Sequence, residues 1–378
     1  MGLVALALYV HWPWCVHKCP YCDFNSRGGL FRIDESRYIA ALLADLSQVA
    51  HTVSRPVTSV FFGGGTPSLM TSEGFDVLMR GIGERVDLAH DAEITLEANP
   101  GTVTEEKLAA FARSGVTRLS LGVQSFNAAS LSFLGRIHTA RQAREAVTWA
   151  KNTFAHVNID MMYALAGQTL ADLRADAEEA VSFNTDHLSY YELTIEPGSV
   201  FFKRPPENLP DADTAGDMAE CIQTITRKAG FDHYEVSAYA KAGSRCRHNM
   251  TYWTYGDYLA IGAGAHAKIT TPDGAIFREV RAKSPVRYMT DVENGTFVQR
   301  RRRVRPEEIP FEFMLNVLRL REGVAKERWE EATGLPYALI APKVASLQRE
   351  GLMEKTDRLA ATALGRRFLN TLQERFLP

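Results

Sequence analysis

The sequence predicts an α/β protein built on a parallel β-sheet, and two patterns lead to this fold class. Six short apolar runs alternate with segments of helical spacing along the first half of the chain. A polar motif follows nearly every run, at the end where α/β barrels build their ligand sites. An open doubly wound sheet shares the alternation, whereas the polar strand ends favour a barrel. The 378 residues, 46% of them hydrophobic, are enough for a substantial core in two or three domains.

The six predicted strands cover residues 3–10, 57–62, 93–97, 118–123, 157–161 and 187–192. Between the first two, Tyr38, Leu42, Asp45, Leu46 and Val49 recur at helical spacing, and a later helix ends at Gly115. The first ten residues have neither the basic beginning nor the cleavage site of a signal peptide, so we expect a buried strand there. No apolar stretch approaches the roughly 18 residues of a membrane span.

Three of the five cysteines, Cys15, Cys19 and Cys22, lie within eight residues directly after the first strand. Thiolate sulfur ligates iron-sulfur clusters, and three thiolates leave one iron of a four-iron cluster open for chemistry. A structural zinc ion is the alternative, with His11 or His17 as its fourth ligand. An odd number of cysteines, three of them clustered, does not form a disulfide framework, so we expect a reducing, cytoplasmic compartment.

The polar motifs at the strand ends form a second candidate site. Residues 63–67, Gly-Gly-Gly-Thr-Pro, follow the second strand, where glycines let the backbone approach a ligand closely. Glu97 ends the third strand and can accept hydrogen bonds from a ribose or an ammonium group, although a surface or capping role is the alternative. Gln124 ends the fourth strand, Arg136 follows it, and Asp160 ends the fifth. Polar groups at successive strand ends of one barrel indicate a binding site.

The cysteine spacing and these motifs resemble the radical S-adenosylmethionine (SAM) superfamily. Nearly the whole chain is similar to one branch of it, which contains the oxygen-independent coproporphyrinogen III dehydrogenases (HemN) and the HemW haem chaperones. The resemblance implies a partial (β/α)6 radical SAM barrel, a 4Fe-4S cluster on the three cysteines, and SAM on the open iron. It implies these SAM-binding residues: Tyr9, Gly64, Gly65, Thr66, Glu97, Gln124, Arg136 and Asp160.

One segment departs from the family pattern. Residues 164–168 are Ala-Leu-Ala-Gly-Gln where relatives usually have Gly-Leu-Pro-Gly-Gln. The loss of a glycine and a proline changes the backbone freedom of the loop that follows Asp160.

The segment from Cys246 to Trp253 is the candidate haem site. A histidine can ligate haem iron, and aromatic rings can cover a porphyrin face, but a histidine beside aromatic residues also serves simply to complete a core. HemW proteins carry His-Asn-x-x-Tyr-Trp at this place, and the chain matches it with His248, Tyr252 and Trp253. The resemblance therefore implies haem as a ligand, with His248 as the candidate contact.

Three functions share this scaffold: a haem chaperone that passes haem to an acceptor protein, a coproporphyrinogen III dehydrogenase, and another radical SAM enzyme. Dehydrogenases of the HemN type have a further cysteine two residues after the third, where this chain has Phe24. They also have a sizeable extension before the barrel, whereas here the cysteines begin at residue 15. Both features favour the chaperone. An electron donor such as a flavodoxin or ferredoxin is a further expected partner.

The predicted domains are a radical SAM barrel at 1–196, an α+β extension at 197–305 and a helical, winged-helix-like domain at 306–378. Residues 197–210 read as a loop or lid, and residues 259–266 as a tight loop near the barrel. The basic run at 300–305 reads as a solvated linker or as a surface for an acidic partner, porphyrin propionates or anionic lipid. A net charge of −2 gives no nucleic-acid footprint. Winged-helix-like domains can bind DNA, but the segment in the recognition position carries only Lys343 and Arg349, so we expect the last domain to be a packing module. Cys221, beside an apolar helix face, reads as a core residue.

Overall fold

Twelve strands form one continuous sheet at the centre of the protein, as seen in a computed structural model that describes residues 6–29, 33–51 and 54–378. The first six are β1 (Leu6–Trp12), β2 (Val57–Gly64), β3 (Leu88–Ala98), β4 (Arg118–Gln124), β5 (His156–Tyr163) and β6 (His187–Glu192). They are parallel and lie side by side in chain order. Parallel strands in chain order, each followed by a helix, are the arrangement of a partial (β/α) barrel, so the predicted fold class is confirmed.

Six helices connect these strands: α1 (Glu35–Ala50), α2 (Ser72–Gly83), α3 (Glu105–Arg113), α4 (Ala128–Phe133), α5 (Ala140–Thr153) and α6 (Leu170–Ser182). Short polar side chains begin them: Thr139 and Gln142 form a reciprocal capping box at α5, and Thr169 and Asp172 form another at α6. The apolar faces of these helices and the inward side chains of the strands make the larger core. The pattern of Tyr38, Leu42, Leu46 and Val49 is the buried face of α1, as predicted.

Strands of the extension continue the barrel sheet at both of its edges. They are β7 (Asp232–Glu235), β8 (Ala238–Ala240), β9 (Asp257–Ile261), β10 (His266–Thr270), β11 (Ile276–Val280) and β12 (Arg300–Arg303). β8 pairs antiparallel with β6 and β7 lies beyond it, whereas β9 pairs parallel with β1 and is followed outward by β10, β11 and β12. The extension therefore has no sheet of its own, and the predicted boundary after residue 196 stays a prediction.

Four helices belong to this part of the chain: α7 (Val200–Lys203), α8 (Ala212–Lys228), α9 (Arg247–Trp253) and α10 (Pro285–Glu293). The irregular segment predicted at 197–210 thus contains a helical turn, α7. Cys221 is buried on α8, as expected of a core residue. α9 carries the His-Asn-x-x-Tyr-Trp motif and contacts the inner strands β2, β9 and β1.

The basic run is an edge strand, which corrects the linker interpretation. β12 pairs antiparallel with β11, and the side chains of Arg301 and Arg302 reach Glu279 and Glu312 on neighbouring elements. Arginine side chains on an exposed edge also discourage a second chain from pairing there.

The C-terminal part is a small helical domain with its own core. Its helices are α11 (Ile309–Val317), α12 (Glu327–Thr333), α13 (Ala341–Arg349), α14 (Ala363–Arg367) and α15 (Leu369–Glu374). The predicted wing is present as a bridge between Met353 and Ala361 and a short ladder of Val324–Ala325 with Arg358–Leu359. Phe368 separates the last two helices, α14 and α15. The core of this domain also includes Tyr234 and Tyr255 of the extension, which agrees with a packing module.

Two further differences concern the ends of strands. The strand predicted at 3–10 is described only from Leu6, because residues 3–5 lie outside the described residues, and it continues to Trp12. The strand predicted at 93–97 begins earlier, at Leu88. Among the helices of the described ranges, none has the length and apolar character needed to cross a membrane.

A buried ion pair joins α1 to the extension. Asp45 on α1 accepts hydrogen bonds from Arg281, just after β11, at 3.1 to 3.3 Å and from the hydroxyl of Tyr288 on α10 at 2.9 Å. The side chains of Asp45 and Arg281 are both 0% exposed, and Glu279 contacts the same guanidinium at 3.0 Å. A buried charge is tolerated only when it is paired and hydrogen-bonded in this way, so the two parts are fixed to each other.

Candidate functional site

A cavity of about 370 Å³ opens at the carboxyl ends of the parallel strands. Parallel strands bring the residues that follow them to one face, as the sequence pattern predicted. The cavity is lined by every predicted cluster and SAM residue except Tyr9, namely Cys15, Cys19, Cys22, Gly64, Gly65, Thr66, Glu97, Gln124, Arg136 and Asp160. Tyr9 lies in the wall of an adjoining cavity that shares Gly64 and Glu97 with the first.

The three thiols are free and lie in one loop at the mouth of this cavity. A short ladder of Trp14–Cys15 with Arg27–Gly28 closes the base of the loop. The guanidinium of Arg136 donates to the sulfur of Cys19 at 3.5 Å, and burial raises the pKa of the Cys15 and Cys22 thiols. Within the described ranges, no three His, Cys, Asp or Glu side chains surround a single metal-ion position. The loop presents the three thiols to the cavity.

The two histidines proposed as zinc ligands have different positions. His11 is only 5% exposed, and its ring nitrogens bond the hydroxyl of Tyr9 at 3.0 Å and the carbonyl of Asn25 at 2.9 Å. His17 is exposed and lines the cavity with the thiols. Both ring nitrogens of His11 are thus hydrogen-bonded within the protein. Of the two histidines, His17 is the one that lines the same cavity as the thiols.

Two glycines of the Gly-Gly-Gly-Thr-Pro loop are required by packing against the chain that enters the cysteine loop. Gly64 has a φ of +111°, and a Cβ there would lie 2.4 Å from the ring of His11. A Cβ on Gly65 would lie 2.5 Å from the carbonyl oxygen of Trp14. The amides of Gly65 and Thr66 donate to the carbonyls of Trp12 and Trp14 at 2.6 and 2.8 Å. Close backbone approach, which the sequence indicated for a ligand, here holds the loop against the cysteine segment.

Glu97 and Asp160 place two carboxyl groups in the cavity. Burial, with the neighbouring charge of Asp160 as the second cause, raises the pKa of Glu97 to about 8, while the amide of Gly64 donates to it at 3.2 Å. Burial also raises the pKa of Asp160, although Ser120 and Asn158 donate to its two oxygens at 2.9 and 2.8 Å. A cationic ligand between the carboxyl groups would stabilise their ionised forms.

Several buried polar atoms in the cavity have no protein partner among the described residues. They are Oε1 of Gln124, Nε of Arg136, Oγ1 of Thr95 and Nη1 of Arg118. Gln124 also has a positive φ of 71°, unusual for a residue with a side chain. Buried polar atoms are nearly always hydrogen-bonded, so these atoms fit a polar ligand with both donors and acceptors. The donor set therefore agrees with the SAM site implied by the resemblance.

Sequence reasoning missed Ser120, Asn158 and His187. Asn158 donates to Ser120 at 2.8 Å and accepts from His187 at 2.7 Å, and all three line the cavity beneath Asp160. The missed signal is the two-residue period of a strand, which places Ser120 on the face of Gln124 and Asn158 on the face of Asp160. Burial lowers the pKa of His187 to about 3, so this histidine is neutral.

The adjoining cavity is larger, about 820 Å³. Helix α9 separates it from the first cavity, since Asn249 lines the first cavity while Tyr252 and Trp253 line the second. We call this second space the aromatic chamber. Its wall also includes Phe24, Tyr258, His266, Lys268, Arg278 and Lys283.

His248 itself lies in the wall between the cavities and lines neither of them. It is 1% exposed, and its Nδ1 and Nε2 bond the hydroxyls of Ser59 at 3.2 Å and Tyr252 at 2.7 Å. Its ring lies 4.9 Å from that of Phe61, and burial lowers its pKa to about 3. In this conformation both ring nitrogens are engaged within the protein, so a contact with haem iron requires the Ser59 or Tyr252 bond to break.

Comparisons with known proteins agree with this geometry. The model of the radical SAM superfamily matches residues 9–180, and that of the HemN C-terminal domain matches residues 304–368. The chain is 43% identical to the heme chaperone HemW of Haemophilus influenzae over 99% of this chain and 98% of that protein. It is 42% identical to the heme chaperone HemW of Escherichia coli over 99% of both chains. The solved coproporphyrinogen III oxidase HemN of Escherichia coli matches with a TM-score of 0.83 and 21% identity, over 99% of this chain and 90% of that chain.

Proposed function

The chain belongs to the HemW family of radical SAM proteins, and from this premise we propose that it binds haem and passes it to an acceptor protein. Relatives named heme chaperones match it at 42–43% identity over their full length. HemN matches it at 21% identity, a likeness that concerns the fold. The same scaffold therefore suits either function, and the differences between the sites decide between them.

We assign the first cavity to a 4Fe-4S cluster and SAM. Cys15, Cys19 and Cys22 would hold three irons, and SAM would occupy the fourth. When bound and reduced, this pair supplies one-electron chemistry. The carboxyl groups of Glu97 and Asp160 provide negative charge for the sulfonium of SAM, and the unpartnered Gln124 provides an acceptor.

The aromatic chamber is the observation that carries the haem proposal. Its volume of about 820 Å³ lies within the range of small-molecule sites. Haem is a flat apolar ring with two carboxylates, and the chamber offers the rings of Tyr252, Trp253 and Tyr258 together with exposed Lys283. Tyr252 and Trp253 belong to the family motif, which places the motif at this chamber.

Phe24 supports the chaperone over the dehydrogenase. It stands where HemN-type dehydrogenases have a cysteine, it is 59% exposed, and it lines both cavities. A phenyl ring at this boundary supplies apolar surface to the chamber and no thiol. We therefore expect no decarboxylation of coproporphyrinogen.

The remaining partners follow from the same chemistry. Five free cysteines suit the reducing cytoplasm, which is where we place the protein. A flavodoxin or ferredoxin would reduce the cluster, and the exposed basic strand β12 is a surface that such acidic proteins, or an anionic lipid, would recognise.

Two parallel titrations of anaerobically purified, cluster-loaded protein test the proposed function. Haem should bind with a distinct Soret band and transfer to an apo-haemoprotein, while coproporphyrinogen III with SAM and a reductant should give no protoporphyrinogen. Repeated turnover of coproporphyrinogen would make the dehydrogenase correct and this proposal wrong. Phe24→Cys is the matched variant: an activity gained by this change alone would identify the residue as the discriminating position.

A further inference from the structure

The structure points to His266, rather than His248, as the ligand of haem iron, and we infer that the iron binds in the aromatic chamber. This inference rests on the proposed function, since it names the residue that would hold the haem. Nothing in the sequence singled out this histidine, which follows the run Gly262-Ala263-Gly264-Ala265. Its position in the fold distinguishes it.

His266 begins β10 and lines the aromatic chamber with an exposed side chain. Within the described ranges its ring makes no hydrogen bond to protein, whereas both ring nitrogens of His248 are bonded. Ligation needs a neutral imidazole with a free nitrogen. Burial, followed by the positive charges of Lys283, Arg278 and Arg300, lowers the pKa of His266, which favours that neutral form.

A second observation in the same chamber points to a ligand. The indole nitrogen of Trp253 is buried and has no acceptor among the described residues. The guanidinium of Arg319 stacks on its ring, 4.3 Å from the ring centroid. Tyr252 and Tyr258 pack edge to face at 4.5 Å, so the aromatic wall is already assembled. A buried donor on an aromatic wall indicates an occupant with both a flat face and an acceptor group.

The charges of the chamber suit carboxylates. Lys268 is compensated by Asp257 at 2.9 Å and Arg278 by Glu312 at 2.8 Å. Exposed Lys283 forms no ion pair within the part of the chain that the structure describes. The acids that line the chamber are Asp23 and Glu97, and Glu97 also lines the first cavity, where it serves SAM. Lys283 therefore remains available to a propionate beside His266.

The backbone that presents His266 is held firmly. Asn25, in the cysteine loop, donates to the carbonyls of Ala263 at 2.9 Å and Lys283 at 3.0 Å. The amides of Gly262 and Ala263 donate to the buried hydroxyls of Tyr288 and Tyr38 at 3.1 and 2.9 Å. A ligand on a fixed loop loses little conformational entropy on binding a metal.

Haem titrations of wild type, His266→Ala, His248→Ala and His90→Ala test the inference. His90 is an exposed histidine near the opposite end of β3, about 23 Å along the strand from Glu97, and is the matched control. Loss of an iron ligand should shift the Soret band and weaken haem binding by at least ~10-fold, the cost of removing even an outer partner of a ligand. Free imidazole should restore the spectrum of His266→Ala, and binding of iron-free protoporphyrin should change far less than binding of haem.

A measurement on the wild-type protein does not depend on how the variants fold. Bound haem should protect His266, and not His90, from modification by diethyl pyrocarbonate, with the sites read by mass spectrometry. A folded, cluster-loaded His266→Ala or His266→Gln protein with the Soret band and affinity of wild type would overturn the inference and leave the chaperone function standing. Absence of haem binding in wild type would overturn the proposed function and this inference together.

Discussion

Glu97 should release a proton when SAM binds. Its pKa of about 8 means that roughly nine-tenths of the groups are protonated at pH 7. The sulfonium of SAM stabilises the carboxylate, so the pKa falls on binding and up to about 0.9 proton leaves the protein at pH 7. We assign the proton to Glu97 because the carboxylate of Asp160 accepts hydrogen bonds from Ser120 and Asn158, while Glu97 accepts one from Gly64.

The sign of the pH dependence follows from this linkage. Free protein binds more protons than the SAM complex below pH 8, so SAM affinity should rise with pH, by up to ~10-fold per unit, and level off above about pH 8. Calorimetry at pH 7 in phosphate and in Tris, which differ in ionisation enthalpy, gives the number of protons released. Glu97→Gln should abolish most of the release, whereas Glu84→Gln, at an exposed position, should not alter it. Equal proton release from wild type and Glu97→Gln would refute the reasoning.

Three further predictions concern the cluster, SAM and stability. Reconstituted wild type should hold about four irons and four sulfides per chain and Cys19→Ser should hold none; stoichiometric zinc with no broad cluster absorbance would contradict the assignment. Asp160→Asn should weaken SAM binding at unchanged iron content, as read from the SAM-induced change in the electron paramagnetic spectrum of the reduced cluster; a wild-type spectrum indifferent to saturating SAM would argue against the site. Arg281→Met should lower the free energy of unfolding by about 3 to 5 kcal/mol in urea, because it strands the buried charge of Asp45, and adding Asp45→Leu should restore much of the loss. A double variant as unstable as the single one would show that packing, rather than charge, carries the effect.

Local sequence patterns predicted the α/β class and identified many of the residues that line the first cavity. The cysteine spacing and the strand-end motifs are local patterns. They predict the site because parallel strands of one barrel all end at the same face, so the residues that follow them come together there. Tyr9 shows the limit of this reasoning. Its strand was predicted, but its position at the aromatic chamber depends on chamber residues such as Tyr252 and His266, more than two hundred residues further along the chain.

The hydrogen bonds of each histidine and its exposure to the cavities could not be predicted from the sequence. His248 sits in a recognisable motif, yet its contact with Ser59 joins residues 189 positions apart and withdraws the ring into the wall. His266 follows a run of glycine and alanine that indicates only a turn. Its access to the chamber depends on the pairing of β9 with β1, two neighbouring strands that lie about 250 residues apart in the sequence. The basic residues of β12 likewise looked like a linker, since an edge strand and a solvated run have the same composition.

Asn25 connects the two cavities. Its backbone belongs to the loop that carries the thiols, and its side chain binds the carbonyls of Ala263 and Lys283 that frame the aromatic chamber. Whatever factor an assembled cluster contributes to the affinity of the chamber, an occupant of the chamber contributes the same factor to the retention of the cluster. If this coupling factor is above one, loss of the cluster to oxygen weakens the binding of the occupant, and an occupied chamber helps the protein to retain the cluster.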